Sequence, residues 1–194
     1  MLVKICGITR REDAVAAVRA GATALGFNFY QGSPRYIPPR EVDRLVAGLN
    51  VIRVGVFVNA SSEIIAAATE EAKLDVVQLH GDEPPQLLPA SPRIWKAFRV
   101  NRDWNPKALD LYNVEAFLLD GPAPGSGQAF DWAQARFLRS RIILAGGLGP
   151  DNIAAAIREI RPWGVDACSR LESAPGTKDH FKMCQFIETA LSES

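Results

Sequence analysis

Short apolar runs recur along the chain, each followed at once by a polar or turn residue. They fall at Val3–Cys6, Ala24–Phe29, Val51–Val58, Val76–His80, Ile94–Phe98, Ala116–Asp120, Ile142–Gly146 and Gly164–Cys168. Val, Ile and Leu run almost continuously through them, the pattern of parallel strands covered on both faces. Helical patterns lie between, at Arg10–Ala20, Pro39–Ala47, Ser61–Ala72, Asp103–Leu111, Asp131–Ser140, Pro150–Ile160 and Lys178–Leu191. Several open on a cap residue or an early proline, as in Ser61-Ser62-Glu63, Asp131-Trp132 and Gly149-Pro150-Asp151-Asn152. A strand that turns straight into a helix is thus repeated eight times. That predicts an α/β protein of the (β/α)8 TIM-barrel class rather than an open doubly wound sheet.

Two features qualify the expected barrel. The chain has 194 residues, just under the usual lower limit for this fold, so its loops must be short and some helices reduced. Pro84, Pro85, Pro89 and Pro92 crowd the gap between strands four and five, leaving room for about one helical turn there. No composition shift marks a boundary, so residues 1–194 are expected to form a single compact barrel domain.

Composition removes several classes of function. Lys plus Arg and Asp plus Glu both number 22, so no net field draws in nucleic acid or an anionic membrane. The four tryptophans, Trp95, Trp104, Trp132 and Trp163, are scattered and make no stacking platform for bases. No apolar run reaches the roughly 18 residues of a membrane span, and Met1-Leu2-Val3-Lys4 does not start like a signal peptide. Cys6, Cys168 and Cys184 are odd in number and widely spaced, which suits a reducing cytoplasm better than a disulfide framework.

Barrel chemistry gathers at the C-terminal ends of the strands, and residues two apart on a strand share a face. Cys6 then sides with Lys4, His80 with Gln78, Asp120 with Leu118, and Cys168 with Asp166. With those faces inward, Cys6, His80, Asp120 and Asp166 converge on one mouth, where a core built for stability alone would carry Val or Leu. Ala145-Gly146-Gly147-Leu148-Gly149-Pro150 ends strand seven and opens a helix, and Cys168-Ser169-Arg170 ends strand eight. Together they suit the phosphate cradle that barrels build from these two loops with backbone N–H groups.

The set of motifs resembles one family closely. Lys4-Ile5-Cys6-Gly7-Ile8-Thr9, Gly26-Phe27-Asn28-Phe29-Tyr30 with Ser33-Pro34-Arg35-Tyr36-Ile37, and Val54-Gly55-Val56-Phe57-Val58-Asn59 are similar to phosphoribosylanthranilate isomerases. So are Val77-Gln78-Leu79-His80-Gly81, Leu118-Leu119-Asp120, Gly125-Ser126-Gly127, Phe130-Asp131-Trp132 and Ala145-Gly146-Gly147-Leu148. The resemblance implies an isomerisation of tryptophan synthesis on a phosphoribosyl substrate, without metal or other cofactor. It implies Cys6 as general base, Asp120 as general acid, and Arg35 as the grip on the anthranilate carboxylate. Gly146, Gly147 and Ser169 would take the phosphate, and Asp166 would sit under the sugar.

The residue types suit an Amadori rearrangement. An acid protonates the furanose ring oxygen, the ring opens to an iminium, and a base removes the proton on C2. One acid and one base suffice, each worth about 10²–10⁴-fold. The acid needs a carboxyl that holds its proton near neutrality, and the base needs a thiol that has lost its own.

Each residue also has a plainer reading. Cys6 alone could be a small buried hydrophobe, Asp120 a turn cap, Arg35 a solvated loop cation. His80 is expected to position rather than transfer the main proton. Asp166 is open between substrate contact and an ion pair with Lys4 or Lys96, while Cys168 and Cys184 are expected to be inert.

Three positions depart from the resembled pattern: Cys168 where Ser is usual, Arg170 where Gly is usual, and Gln128 where Lys is common. Arg170 should either strain a left-handed backbone by about 1–2 kcal/mol or lend its guanidinium to the phosphate. Two rival readings are an Amadori isomerase of histidine synthesis and a silent phosphoribosyl-binding barrel. The first calls for paired Asp residues, whereas the first strand here ends in Cys6. No nucleic acid or membrane partner is expected, and monomer and homodimer are equally compatible.

Overall fold

The computed structural model describes residues 1–89, 93–122, 131–136 and 138–194. Eight parallel strands close into a barrel in simple chain order: β1 (Leu2–Ile5), β2 (Ala24–Asn28), β3 (Ile52–Phe57), β4 (Val76–Leu79), β5 (Ile94–Arg99), β6 (Ala116–Asp120), β7 (Ile142–Leu144) and β8 (Gly164–Ala167). The seam is β8 against β1, with Leu2, Val3, Lys4 and Ile5 opposite Gly164, Val165, Asp166 and Ala167. All eight expected strands are present.

The helices are fewer than the sequence pattern suggests. Full helices are α1 (Arg11–Ala20), α3 (Ser62–Ala72), α4 (Ile153–Ile160) and α5 (His180–Ser192), with a short α2 (Val42–Val46) behind a 3-10 turn at Pro39–Glu41. Between β4 and β5 the described residues hold only a 3-10 turn, Pro85–Leu87, as the prolines required.

Two further connections are reduced where helices were expected. Asp103–Leu111 is a 3-10 stretch over Pro106–Leu111, and Asp131–Ser140 shortens to a 3-10 turn at Trp132–Ala135. Among the described residues the two 3-10 stretches bury one residue each, Leu109 and Ala135, which gives little apolar contact to support a longer helix. The last helix begins at His180 because Lys178 enters a small hairpin, β9 (Glu172–Ala174) with β10 (Thr177–Lys178). Asp179 caps it, accepting from the Lys182 N–H at 3.1 Å.

The core has two parts. Val3, Ile5, Leu25, Phe27, Leu119, Leu144 and Val165 face outward onto Ala14, Ala17, Ile153, Ile157, Phe186 and Ile187 of the helices. Inside the barrel, Leu2, Ala24, Val54, Val76, Trp95, Ala116, Leu118 and Ile143 make an apolar floor. Above it the inward positions turn polar, with Lys4, Gln78 and Asp166 all buried. That change of chemistry marks the end of the barrel that works.

Candidate active site

A cavity of about 410 Å³ opens at the C-terminal ends of the strands. Its walls include Cys6, Asn28, Arg35, His80, Arg99, Asp120, Asp166 and Cys168, contributed by six of the eight strand ends and the β2–α2 loop. The size suits a small organic ligand. The alternation argument therefore brings Cys6, His80, Asp120 and Asp166 to one mouth, and Arg35 reaches it from its loop.

Beneath the mouth, Lys4 Nζ donates to Asp166 Oδ1 at 2.9 Å, with both side chains buried. Of the two pairings open for Asp166, Lys4 is the partner. Lys96 is held elsewhere, by Glu83 Oε2 at 2.9 Å and the Gly81 carbonyl at 2.7 Å. Burial pulls the Lys4 ammonium down, but the charges of Asp166 and Cys6 outweigh it and raise its pKa. Burial pushes the Asp166 carboxyl up to about 7, against the pull of Lys4 and with help from the negative charges of Cys6 and Asp120.

A pH effect on stability follows. Asp166 has a folded-state pKa above its unfolded value near 3.9, so its contribution is fully present below pH ~4 and fades as pH rises through about 7. The stability difference between the natural protein and Asp166→Asn should fall over that window by up to about 4 kcal/mol. Urea unfolding at pH 4, 5.5 and 7.5 measures it, and a difference that is flat with pH would refute the assignment.

Cys6 stands one residue beyond β1, its N–H bonded to the Ala167 carbonyl at 2.9 Å. The hydrogen bond it receives from the Cys168 thiol lowers its pKa most. Burial opposes, and the charges of Lys4 and Lys178 add to the lowering, leaving Cys6 well below an ordinary thiol. The same bond and burial push Cys168 well above one. Cys168, expected to be inert, thus lies close enough to Cys6 to shift its thiol.

Asp120 ends β6, where Oδ1 accepts the Gly121 N–H at 2.7 Å and Oδ2 lies 3.2 Å from His80 Nε2. The Gln78 amide nitrogen lies 3.1 Å from His80 Nδ1. With that amide donating, the ring proton sits on Nε2 and faces Asp120. The Nε2 group is not aligned for a good hydrogen bond and is otherwise without a partner. His80 therefore faces Asp120, the placement that its expected positioning role requires.

Arg35 is far from a solvated loop cation. Its Nε donates to both oxygens of Glu172 at 2.9 and 3.1 Å, and Nη2 donates at 2.7 Å. Glu172 occupies the Nε edge of the guanidinium, which leaves the opposite, terminal edge free to meet a second carboxylate. Lys178 Nζ bonds the same Glu172 at 2.9 Å. Burial raises the Glu172 carboxyl, but the bonds from Arg35 and the charge of Lys178 win and hold it below the usual carboxylate range.

Sequence reasoning had not singled out Glu172 as the anchor of Arg35, nor Lys178 as its second partner. Arg99 was also missed, although its place two residues past Ala97 on β5 is signalled by the same alternation.

The loop expected to cradle phosphate carries two left-handed glycines, and its side chains have partners of their own. Gly146 and Gly147 are both left-handed, with φ of 73° and 63°. A Cβ on Gly146 would sit 2.3 Å from the Gly121 nitrogen, so glycine is required there on both counts. Asn152, just before α4, bonds the Gly147 carbonyl and accepts from the Gly149 N–H, each at 2.9 Å. Ser169 and Arg170 lie in a 3-10 turn, Ser169–Leu171.

The strain expected at Arg170 is absent, since it does not adopt positive φ. Its guanidinium is not free for phosphate either: it donates to both Asp151 oxygens, at 2.8 and 2.9 Å, and to the Gly147 carbonyl at 2.9 Å. Arg170 braces the rim of the cradle. Arg170→Gly is expected to raise KM less than tenfold and leave kcat nearly intact in steady-state assays; a collapse of kcat would make it part of the reacting machinery. Gln128, and the Gly125-Ser126-Gly127 stretch before it, lie outside the described residues.

Comparison with known proteins agrees over the full length. Residues 3–189 match the family described as N-(5'phosphoribosyl)anthranilate (PRA) isomerase. The chain is 48 % identical to the N-(5'-phosphoribosyl)anthranilate isomerase of Solibacter usitatus, over 98 % of this chain and 97 % of that one. Among solved structures it is similar to the phosphoribosyl anthranilate isomerase of Thermus thermophilus, with TM-score 0.93, 40 % identity and 100 % of both chains covered. It is also similar to a phosphoribosyl anthranilate isomerase solved in complex with reduced 1-(o-carboxyphenylamino)-1-deoxyribulose 5-phosphate, with TM-score 0.85, 37 % identity and 99 % of both chains covered.

Proposed function

The chain belongs to the N-(5'-phosphoribosyl)anthranilate isomerase family, aldose–ketose isomerases of tryptophan biosynthesis, and from that premise we propose that Cys6 and Asp120 carry its two proton transfers. The substrate is N-(5-phosphoribosyl)anthranilate and the product 1-(2-carboxyphenylamino)-1-deoxyribulose 5-phosphate.

Asp120, at the end of β6, gives its proton to the furanose ring oxygen, and the C1–O bond breaks to leave an iminium. The Cys6 thiolate, at the end of β1, takes the proton from C2. The enolamine so formed tautomerises to the ketone. The convergence of both groups on one cavity, with His80 facing Asp120, is the observation that carries the reading, and the lowering of the Cys6 thiol agrees with it. His80 holds the Asp120 carboxyl in position, and Asp166, tied to Lys4, faces the sugar.

The free edge of Arg35 takes the anthranilate carboxylate. The glycine turn at Gly146 and Gly147, with Ser169, takes the phosphate. This chemistry needs no metal or cofactor. The barrel works as a single domain over residues 1–194, as a monomer or homodimer in the cytoplasm. Among the described residues no helix is long and apolar enough to cross a membrane.

The test follows the loss of anthranilate fluorescence, with the labile substrate generated in situ. Rapid, enzyme-dependent decay supports the reading. Absence of decay, with saturable binding of the reduced product, would leave the silent binding barrel in its place.

A further inference from the structure

Cys6 and Cys168 are the next pair in register beyond Ile5 and Ala167 on adjacent parallel strands, and the Cys6 N–H to Ala167 carbonyl bond continues that ladder. Neighbouring strands lie about 4.8 Å apart, inside the roughly 4.4–6.8 Å between Cα atoms that a disulfide spans. Both side chains line the same cavity, and both residues are half-buried rather than sealed. Cys168 is also the neighbour that lowers the Cys6 thiol most.

We infer that this pair is an oxidative modification site: a hydroperoxide entering the pocket converts Cys6 and Cys168 to a disulfide that a dithiol reverses. The loss of activity that accompanies it rests on Cys6 being the base.

The Cys6 thiolate attacks one peroxide oxygen, the O–O bond breaks, and hydroxide leaves and takes a proton to become water. Cys6 is then a sulfenic acid. The Cys168 sulfur attacks the Cys6 sulfur, the S–O bond breaks, and the departing hydroxide takes the Cys168 proton as a second water. Two electrons pass from the sulfur pair to the peroxide.

The charged groups around the pair favour the first step more than they obstruct it. Lys4 and Lys178 stabilise the thiolate, and Glu172, whose Oε1 lies 3.8 Å from Cys168 Sγ, is neutralised by Arg35 and Lys178. Without a second thiol at hand, a sulfenic acid proceeds to the irreversible sulfinic state. Cys168 is thus the resolving partner, and the Ser usual at this position in the resembled pattern could not serve.

The experiment treats the whole protein with hydrogen peroxide and reads intact mass, linked peptides and activity. The natural protein should lose two hydrogens and yield one Cys6–Cys168 linked peptide, with Cys184 on α5 untouched as an internal control. Isomerase activity should vanish and return with dithiothreitol. Cys168→Ser, compared with its own unoxidised activity, should gain oxygen on Cys6 and lose activity that dithiothreitol does not restore.

Gain of oxygen on Cys6 of the natural protein with no linked peptide would overturn the proposal. So would equal reversibility of the Cys168→Ser variant. A linked peptide with full activity would leave the modification site standing and overturn Cys6 as base, so the two failures are separable.

Discussion

Cys6→Ser should lower kcat for the isomerisation by about 10²–10⁴-fold, with little change in the affinity for the reduced product. A serine fills the same place but holds its proton far more tightly than the thiol. The surroundings were arranged for a thiolate, with the Cys168 hydrogen bond and the charges of Lys4 and Lys178 all lowering Cys6. The interaction lost is one made with the migrating C2 proton, so it belongs to the transition state and not to binding.

Asp120→Asn should show a loss of similar size. It keeps the Gly121 N–H bond through its oxygen but has no proton to give. The two losses should not add, because each alone stops the reaction at its own step. Stopped-flow fluorescence with both variants measures this. Near-natural kcat in Cys6→Ser would move the base to Asp166, which lines the same cavity and whose carboxyl burial pushes up to about 7.

Local pattern carries some of this site and long-range pairing carries the rest. A strand's two-residue repeat says which side chains share a face, so Cys6, His80, Asp120 and Asp166 could be placed at one mouth from the positions of eight apolar runs. The reduced β4–β5 connection was equally legible, because proline limits a helix whatever surrounds it.

Partner choice was not legible. Lys4 meets Asp166 across 162 positions, and Arg35 meets Glu172 across 137. Both contacts exist because β8 closes onto β1, and periodicity does not say which of several inward cations an inward carboxylate will find. The same closure brings Cys168 beside Cys6. Arg170 shows the converse: strain was inferred from the glycine usual at that place, but Asp151 and the Gly147 carbonyl receive its guanidinium while the backbone stays in a 3-10 turn. Tertiary partners set that conformation.

The weakest point for sequence reasoning is therefore the strongest point for structure. Glu172 joins Arg35, Lys178 and Cys168, the neighbour of Cys6. Its side chain is only 4 % exposed, and that of Lys178 is fully buried. Glu172→Gln keeps the shape but turns a carboxylate into an amide, with one arm presenting N–H groups to two cations. Lys178 then retains only a 3.4 Å contact to the Cys168 carbonyl and a 3.7 Å one to its sulfur.

Breaking a buried pair on one side costs about 3–5 kcal/mol. In a domain of this length that is a fall in Tm of about 6–20 °C. At a temperature where the variant is folded, KM should rise more than kcat falls, because Arg35 loses the anchor that aims its free edge at the substrate carboxylate.

The two readouts divide the possibilities. A lowered Tm with unchanged KM would make Glu172 a stabilising residue only and would leave Arg35 held by the bond from its N–H to the Ser33 hydroxyl. A raised KM that a substrate lacking the carboxylate does not share would tie Glu172, through Arg35, to recognition of the anthranilate carboxylate.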